Sequence, residues 1–109
     1  MTKTLTLEEY QSAIDNGDMM VVDFYADWCQ KCTEMMPVVE QIAANLVDRV
    51  PVYKVNIDEQ PELKEKARIK AIPILTIVNN GHMRDFVFGA ATEEKIMHKI
   101  NMVGKFYDQ

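Results

Sequence analysis

Two cysteines, Cys29 and Cys32, stand two residues apart with Gln30 and Lys31 between them, and the chain has no others. On a helix, positions three apart share a face, so a small adjustment of one turn brings the two sulfurs into bonding range. Such a pair suits thiol–disulfide exchange: one sulfur attacks a disulfide, and the second resolves the mixed disulfide that results. The attacking species is the thiolate. Six residues upstream, Asp23 is the single charge in the apolar run Met19 to Tyr25. A carboxyl in such a run is desolvated, which raises its pKa and suits it to pass a proton to or from Cys32. The plainer alternative is a strand-end carboxylate with a local hydrogen bond.

The elements around these residues follow from pattern. Met19 to Tyr25 reads as a strand covered on both faces. After Cys29 the period changes to that of a helix, with Met35, Val38, Val39, Ile42 and Leu46 on one stripe and Pro37 predicting a kink. Cys29 then falls at a helix N-terminus, where free N–H groups and the macrodipole favour an anion, activating this sulfur. Lys3 to Leu7 is expected as a short strand, and Thr6 with Glu9 as a capping box for a helix ending at Asn16-Gly17. Val50 to Ile57 reads as a strand, and Pro61 to Arg68 as a short helix opened by its proline. Ile74–Val78 and Met83–Phe88 are joined through Asn80-Gly81, a hairpin turn signal, and Thr92 caps a last helix with Ile96, Ile100 and Val103 inward. The order βαβαβαββα implies parallel pairing with one antiparallel hairpin at the end.

The other chemical readings are weaker. A structural zinc site wants four ligands, and besides the cysteines only His82, in the turn, and His98, facing away from the core, are available. No metal is expected. Met35, Met36, Met97 and Met102 read as core or near-core filler. The 109 residues fit a single domain over 1–109, and at 48% hydrophobic and 27% charged they form an ordinary globular composition. A net charge of −5 repels phosphate backbones, so nucleic acid is not an expected partner. No apolar run is long enough to cross a bilayer. The first residues lack the apolar stretch of a signal peptide, making the cytoplasm the expected compartment and a monomer the expected form.

With Val22-Asp23-Phe24, Trp28-Cys29-x-x-Cys32, Pro37, Lys54-Val55-Asn56-Ile57-Asp58, Ile72-Pro73, Asn80-Gly81 and Gly89-Ala90 in this order, the chain resembles the thioredoxin family over essentially its whole length. The resemblance implies an α/β thioredoxin fold, a five-stranded mixed sheet flanked by four helices. It implies Cys29 as nucleophile, Cys32 as resolving thiol and Asp23 as proton carrier, with Lys54 near Asp23. It implies a cis Ile72-Pro73 bond holding the Ile72 backbone where an extended peptide can pair with it. Trp28, Ile72, Pro73, Phe88 and Gly89 then shape a substrate groove, with Ala90 beside them. No organic cofactor is implied, because the Cys29–Cys32 dithiol carries the electrons. Protein disulfides are the implied substrates, and a disulfide reductase is the implied electron donor.

Three departures from the family's usual residues stand out: Gln30-Lys31 replaces Gly-Pro, Thr33 replaces Lys, and Ile74 replaces Thr. Gln30, Lys31 and Lys54 are thus the positions expected to tune potential and reactivity. A more oxidising oxidase or isomerase, and a binding module with incidental thiols, remain as alternatives to the reductase.

Overall fold

The computed structural model describes residues 2–107. Among them, the chain forms β1 (Lys3–Thr4), α1 (Leu7–Asn16), β2 (Met20–Tyr25), α2 (Gln30–Asn45), β3 (Val52–Asn56), α3 (Pro61–Lys66), β4 (Ile74–Asn79), β5 (His82–Phe88) and α4 (Glu93–Tyr107). The strands make one sheet in the order β1-β3-β2-β4-β5, in which β1, β3, β2 and β5 run in one direction and β4 runs antiparallel to both its neighbours, so the β2–β4 pair is antiparallel as well as the hairpin expected at the end. This is the expected mixed sheet with four helices.

β2 occupies the middle of the sheet, and its alternation feeds two cores. Val21 packs with Met35, Val39, Ile42, Ile96 and Ile100, so α2 and α4 cover that face. Met20, Val22 and Phe24 pack with Tyr10 and Leu63 under α1 and α3. Burial on both faces explains why β2 reads as a continuous apolar run rather than as an alternating one. Asp23, two residues after Val21, therefore points to the α2 side.

The ends of the helices carry the expected chemistry. Thr6 accepts the Glu9 N–H at 3.1 Å, and Glu9 accepts the Thr6 N–H at 2.9 Å. This box claims Thr6 and Leu7 for α1, and so β1 is shorter than the strand expected over Lys3 to Leu7. Asn80 and Gly81 both take positive φ, 52° and 82°, as a tight hairpin turn requires. The α2 helix continues through Pro37 to Asn45. Met102 is a correction: it lies on the outside of α4, whose buried stripe is Ile96, Ile100 and Val103.

Candidate active site

The site forms where β2 leaves the sheet and α2 begins. Cys29 is the N-cap residue of α2, in extended conformation, and its Sγ accepts the Cys32 N–H at 3.2 Å. An N-cap side chain normally offers an oxygen to these unpaired N–H groups; here the sulfur takes that position. The Thr33 N–H and hydroxyl both donate to the Cys29 carbonyl, at 3.1 and 3.3 Å, fixing the first turn. Cys29 and Cys32 are joined as a disulfide, their Cα atoms 5.2 Å apart. The two sulfurs are not equivalent. Cys29 is half-buried, whereas Cys32 is 2% exposed and starts the buried stripe of α2.

Asp23 is 3% exposed on the same side of the sheet, and burial pushes its pKa up to about 7. Its register neighbours are Lys54 on β3 and Leu75 on β4. Tyr25, one pleat further along the same face, lines a cavity of about 160 Å³ together with Ala26, Asp27, Cys32, Thr33 and Met36. The end of β2 and the inner cysteine thus share one small hollow.

A second hollow of about 420 Å³ lies outside the disulfide, lined by Trp28, Cys29, Gln30, Lys31, Glu34 and Ile72. Trp28 is 70% exposed, yet its ring is held: Nε1 donates to Asp58 Oδ2 at 2.8 Å. Asp58 is itself set by Asn56, whose Oδ1 accepts the Asp58 N–H at 2.9 Å. On the α2 side Gln30 donates to Glu34 at 3.3 Å, and Lys31 is exposed. The Ile72–Pro73 bond is cis, and the Pro73 carbonyl accepts the Gly89 N–H at 2.9 Å. Gly89 sits at φ 79°, where a side chain is strained, and nothing lies within 4 Å of where its Cβ would be. Open space therefore remains for an approaching chain. Phe88 is exposed on the edge strand opposite Ile74. Hollows of similar size elsewhere, such as one lined by Tyr10, Lys66 and His82, contain no thiol.

The structure places Trp28, Gln30, Lys31 and Ile72 around Cys29, and Tyr25 and Asp23 on the Cys32 side. Asp58 is the site residue that sequence reading did not single out, although it stood within Lys54-Val55-Asn56-Ile57-Asp58. The usable signal was Asn56, a turn-forming residue two positions earlier at the end of a strand. Among the described residues no three His, Cys, Asp or Glu side chains form a metal-binding group.

The sequence matches the Thioredoxin family model over residues 1–102. A thioredoxin of Rickettsia bellii is 33% identical over 102 residues, covering 93% of this chain and 97% of its own. One from Alicyclobacillus acidocaldarius is 37% identical over 95 residues, covering 87% and 90%. Among solved structures, Malassezia sympodialis thioredoxin superposes with a TM-score of 0.83 at 29% identity, covering 94% of this chain and 90% of its own. Fasciola hepatica thioredoxin does so at 0.79 and 30%, covering 94% and 98%. A helix-capping cysteine bonded to a buried partner, on a fold matched at this level, makes the chain a thiol–disulfide oxidoreductase that belongs to the thioredoxin family.

Proposed function

We propose that the protein reduces disulfides of other proteins, with Cys29 as nucleophile, Cys32 as resolving thiol and Asp23 as the group that takes the Cys32 proton. The Cys29 thiolate attacks one sulfur of the substrate disulfide, forming the mixed disulfide and releasing the other substrate sulfur as a thiolate. Cys32 then gives its proton to the Asp23 carboxylate and attacks Cys29 Sγ, releasing the second substrate sulfur. Two electrons pass to the substrate, the oxidised Cys29–Cys32 pair remains, and a disulfide reductase restores the dithiol. The observation that carries this reading is the Cys32 N–H aimed at Cys29 Sγ, a donor that favours a thiolate on the exposed sulfur.

Trp28, Ile72, Pro73, Phe88 and Gly89 form the groove that receives an extended segment of substrate, while Gln30, Lys31 and Lys54 tune the reaction. The chain acts as one thioredoxin-like domain, a cytoplasmic monomer with no cofactor beyond its own thiols. No helix of the described residues is long and apolar enough to cross a membrane.

Trapping tests the division of labour. Cys32→Ser should accumulate substrate proteins covalently bound to Cys29, seen as reducible adducts on a non-reducing gel, and Cys29→Ser should not. Equal or stronger trapping by Cys29→Ser would reverse the two roles.

A further inference from the structure

A hollow of about 490 Å³ lies between α1, the end of α3 and the β4–β5 hairpin, and it shares no lining residue with the hollow beside Cys29. Every charged side chain in its lining is basic: Lys66 and Arg68 at the end of α3, and His82 from the hairpin. The chain as a whole carries 12 basic against 17 acidic residues, so this concavity runs against the overall balance. Among the described residues none of the three makes an ion pair. Tyr10 lines the same hollow and is 8% exposed. Its hydroxyl is neither paired nor sealed away among the described residues, where the sealed unpaired atom is Asn79 Nδ2, so it opens on the hollow. The walls are held in place. The Asn80 N–H donates to the Gly17 carbonyl at 3.2 Å, and a Cβ on Gly81 would stand 3.4 Å from the Ile14 carbonyl, so the hairpin lies against α1. At the end of α3 the Arg68 N–H donates to Glu65 and the Ile69 N–H to Lys64, both at 3.0 Å. This closure sets Arg68 at φ 60°, in the left-handed region where glycine is the usual residue. A guanidinium is thus carried where the backbone favours no side chain at all.

We propose that this hollow binds a small phosphate monoester with a flat apolar part: Lys66, Arg68 and His82 hold the phosphate, and Tyr10, Ile14 and Met83 pack against the rest. Basic groups converging on one concavity suit a multiply charged anion, and a phosphate monoester carries about −1.5 to −2 near neutral pH. The planar fork of Arg68 matches two phosphate oxygens at once, and the Tyr10 hydroxyl supplies a further donor. Gln11 is occupied: its amide donates to Asp15 at 2.9 Å. The volume falls within the range of about 300–1,000 Å³ common for small-molecule sites, and inorganic phosphate alone would leave most of it empty. The net charge of −5 disfavours a long polyanion, which leaves a single phosphate group on a small body. The inference is independent of the reading of Cys29, Cys32 and Asp23, since none of them lines this hollow.

Phenyl phosphate is the probe. Titrated into the oxidised protein at low salt and neutral pH, it should give saturable nitrogen-15 amide shifts at Arg68, His82 and Met83, and none at Cys29 or Gln30. Arg68→Gly removes the guanidinium while leaving the backbone a conformation that glycine takes freely, and it should weaken binding about tenfold. Lys66→Gln, on the surface of α3, should weaken it in the same direction. Tyr10→Phe removes the hydroxyl alone and should cost about threefold in affinity. Away from the hollow, the amide spectra of all three variants should overlay that of the parent. Inorganic phosphate should bind more weakly for want of the ring, and phenylacetate more weakly for want of the second charge. Full affinity in Arg68→Gly overturns the inference, as do shifts confined to the redox loop or no saturable shift at all. Inorganic phosphate binding as tightly as phenyl phosphate overturns the organic ligand, and phenylacetate binding as tightly overturns the phosphate.

Discussion

Lys31 sits one residue before the inner cysteine, exposed on the first turn of α2, in a motif where the family usually carries proline. Its ammonium favours the Cys29 thiolate, and so the reduced dithiol over the neutral disulfide. Exposed ion pairs contribute about 0.2–1 kcal/mol, and 30 mV corresponds to about 1.4 kcal/mol for a two-electron couple. The charge should therefore raise the potential by roughly 5–20 mV. Measured against a glutathione buffer, Lys31→Glu should be more reducing than the parent, with the difference shrinking as salt rises. A Lys31→Glu protein as oxidising as the parent would remove the electrostatic account. Single residues were also where the sequence spoke most clearly. Cys29, Cys32 and Asp23 announce themselves because a thiol pair at helical spacing and a lone acid in an apolar strand have few other uses.

Asp58 did not announce itself, because its part in the site depends on how elements meet. Thirty residues separate it from Trp28, and only the parallel pairing of β3 with β2 brings the end of β3 beside the loop before α2. Surface aspartates after a strand are common in sequences, and the turn signal of Asn56 marks where Asp58 sits without marking that its carboxylate receives an indole. The long amphipathic α2, the central β2 and the Asn80-Gly81 hairpin were legible because each is decided by local pattern. The shortness of β1 was not, since strand and helix cap compete for Thr6 and Leu7. The Trp28–Asp58 bond joins two loops at the groove rim, and Asp58→Ala should free the indole. One lost hydrogen bond of about 0.5–1.5 kcal/mol corresponds to a fall of up to roughly tenfold in kcat/KM toward a protein disulfide. The redox potential should stay near that of the parent. Unchanged kcat/KM in steady-state reduction assays would show that the ring needs no tether.

At the scale of the whole molecule, burying Asp23 carries a cost in stability that depends on pH. The folded carboxyl keeps its proton up to about 7, while in the unfolded chain it releases the proton near its ordinary value of 3.8. Between those values the folded state binds more protons, so this contribution declines as pH rises from about 4 through neutrality and then levels off. Asp23→Asn should abolish the decline and exceed the parent in stability above neutral pH by on the order of a few kcal/mol. Urea unfolding at pH 5 and pH 8 checks this, and a gap between variant and parent that fails to widen at pH 8 would place the Asp23 titration elsewhere. Most of the fold is indifferent to the redox bond itself. The cross-link encloses only the residues of one helical turn, with a sequence separation of three. Loop-closure entropy grows with the length enclosed, so opening it returns little freedom to the unfolded chain, and the two cores on either face of the sheet do not run through it. The bond is a latch and not a brace. Opening and closing that latch leaves both cores untouched, so little of the fold's stability depends on whether the pair is oxidised or reduced.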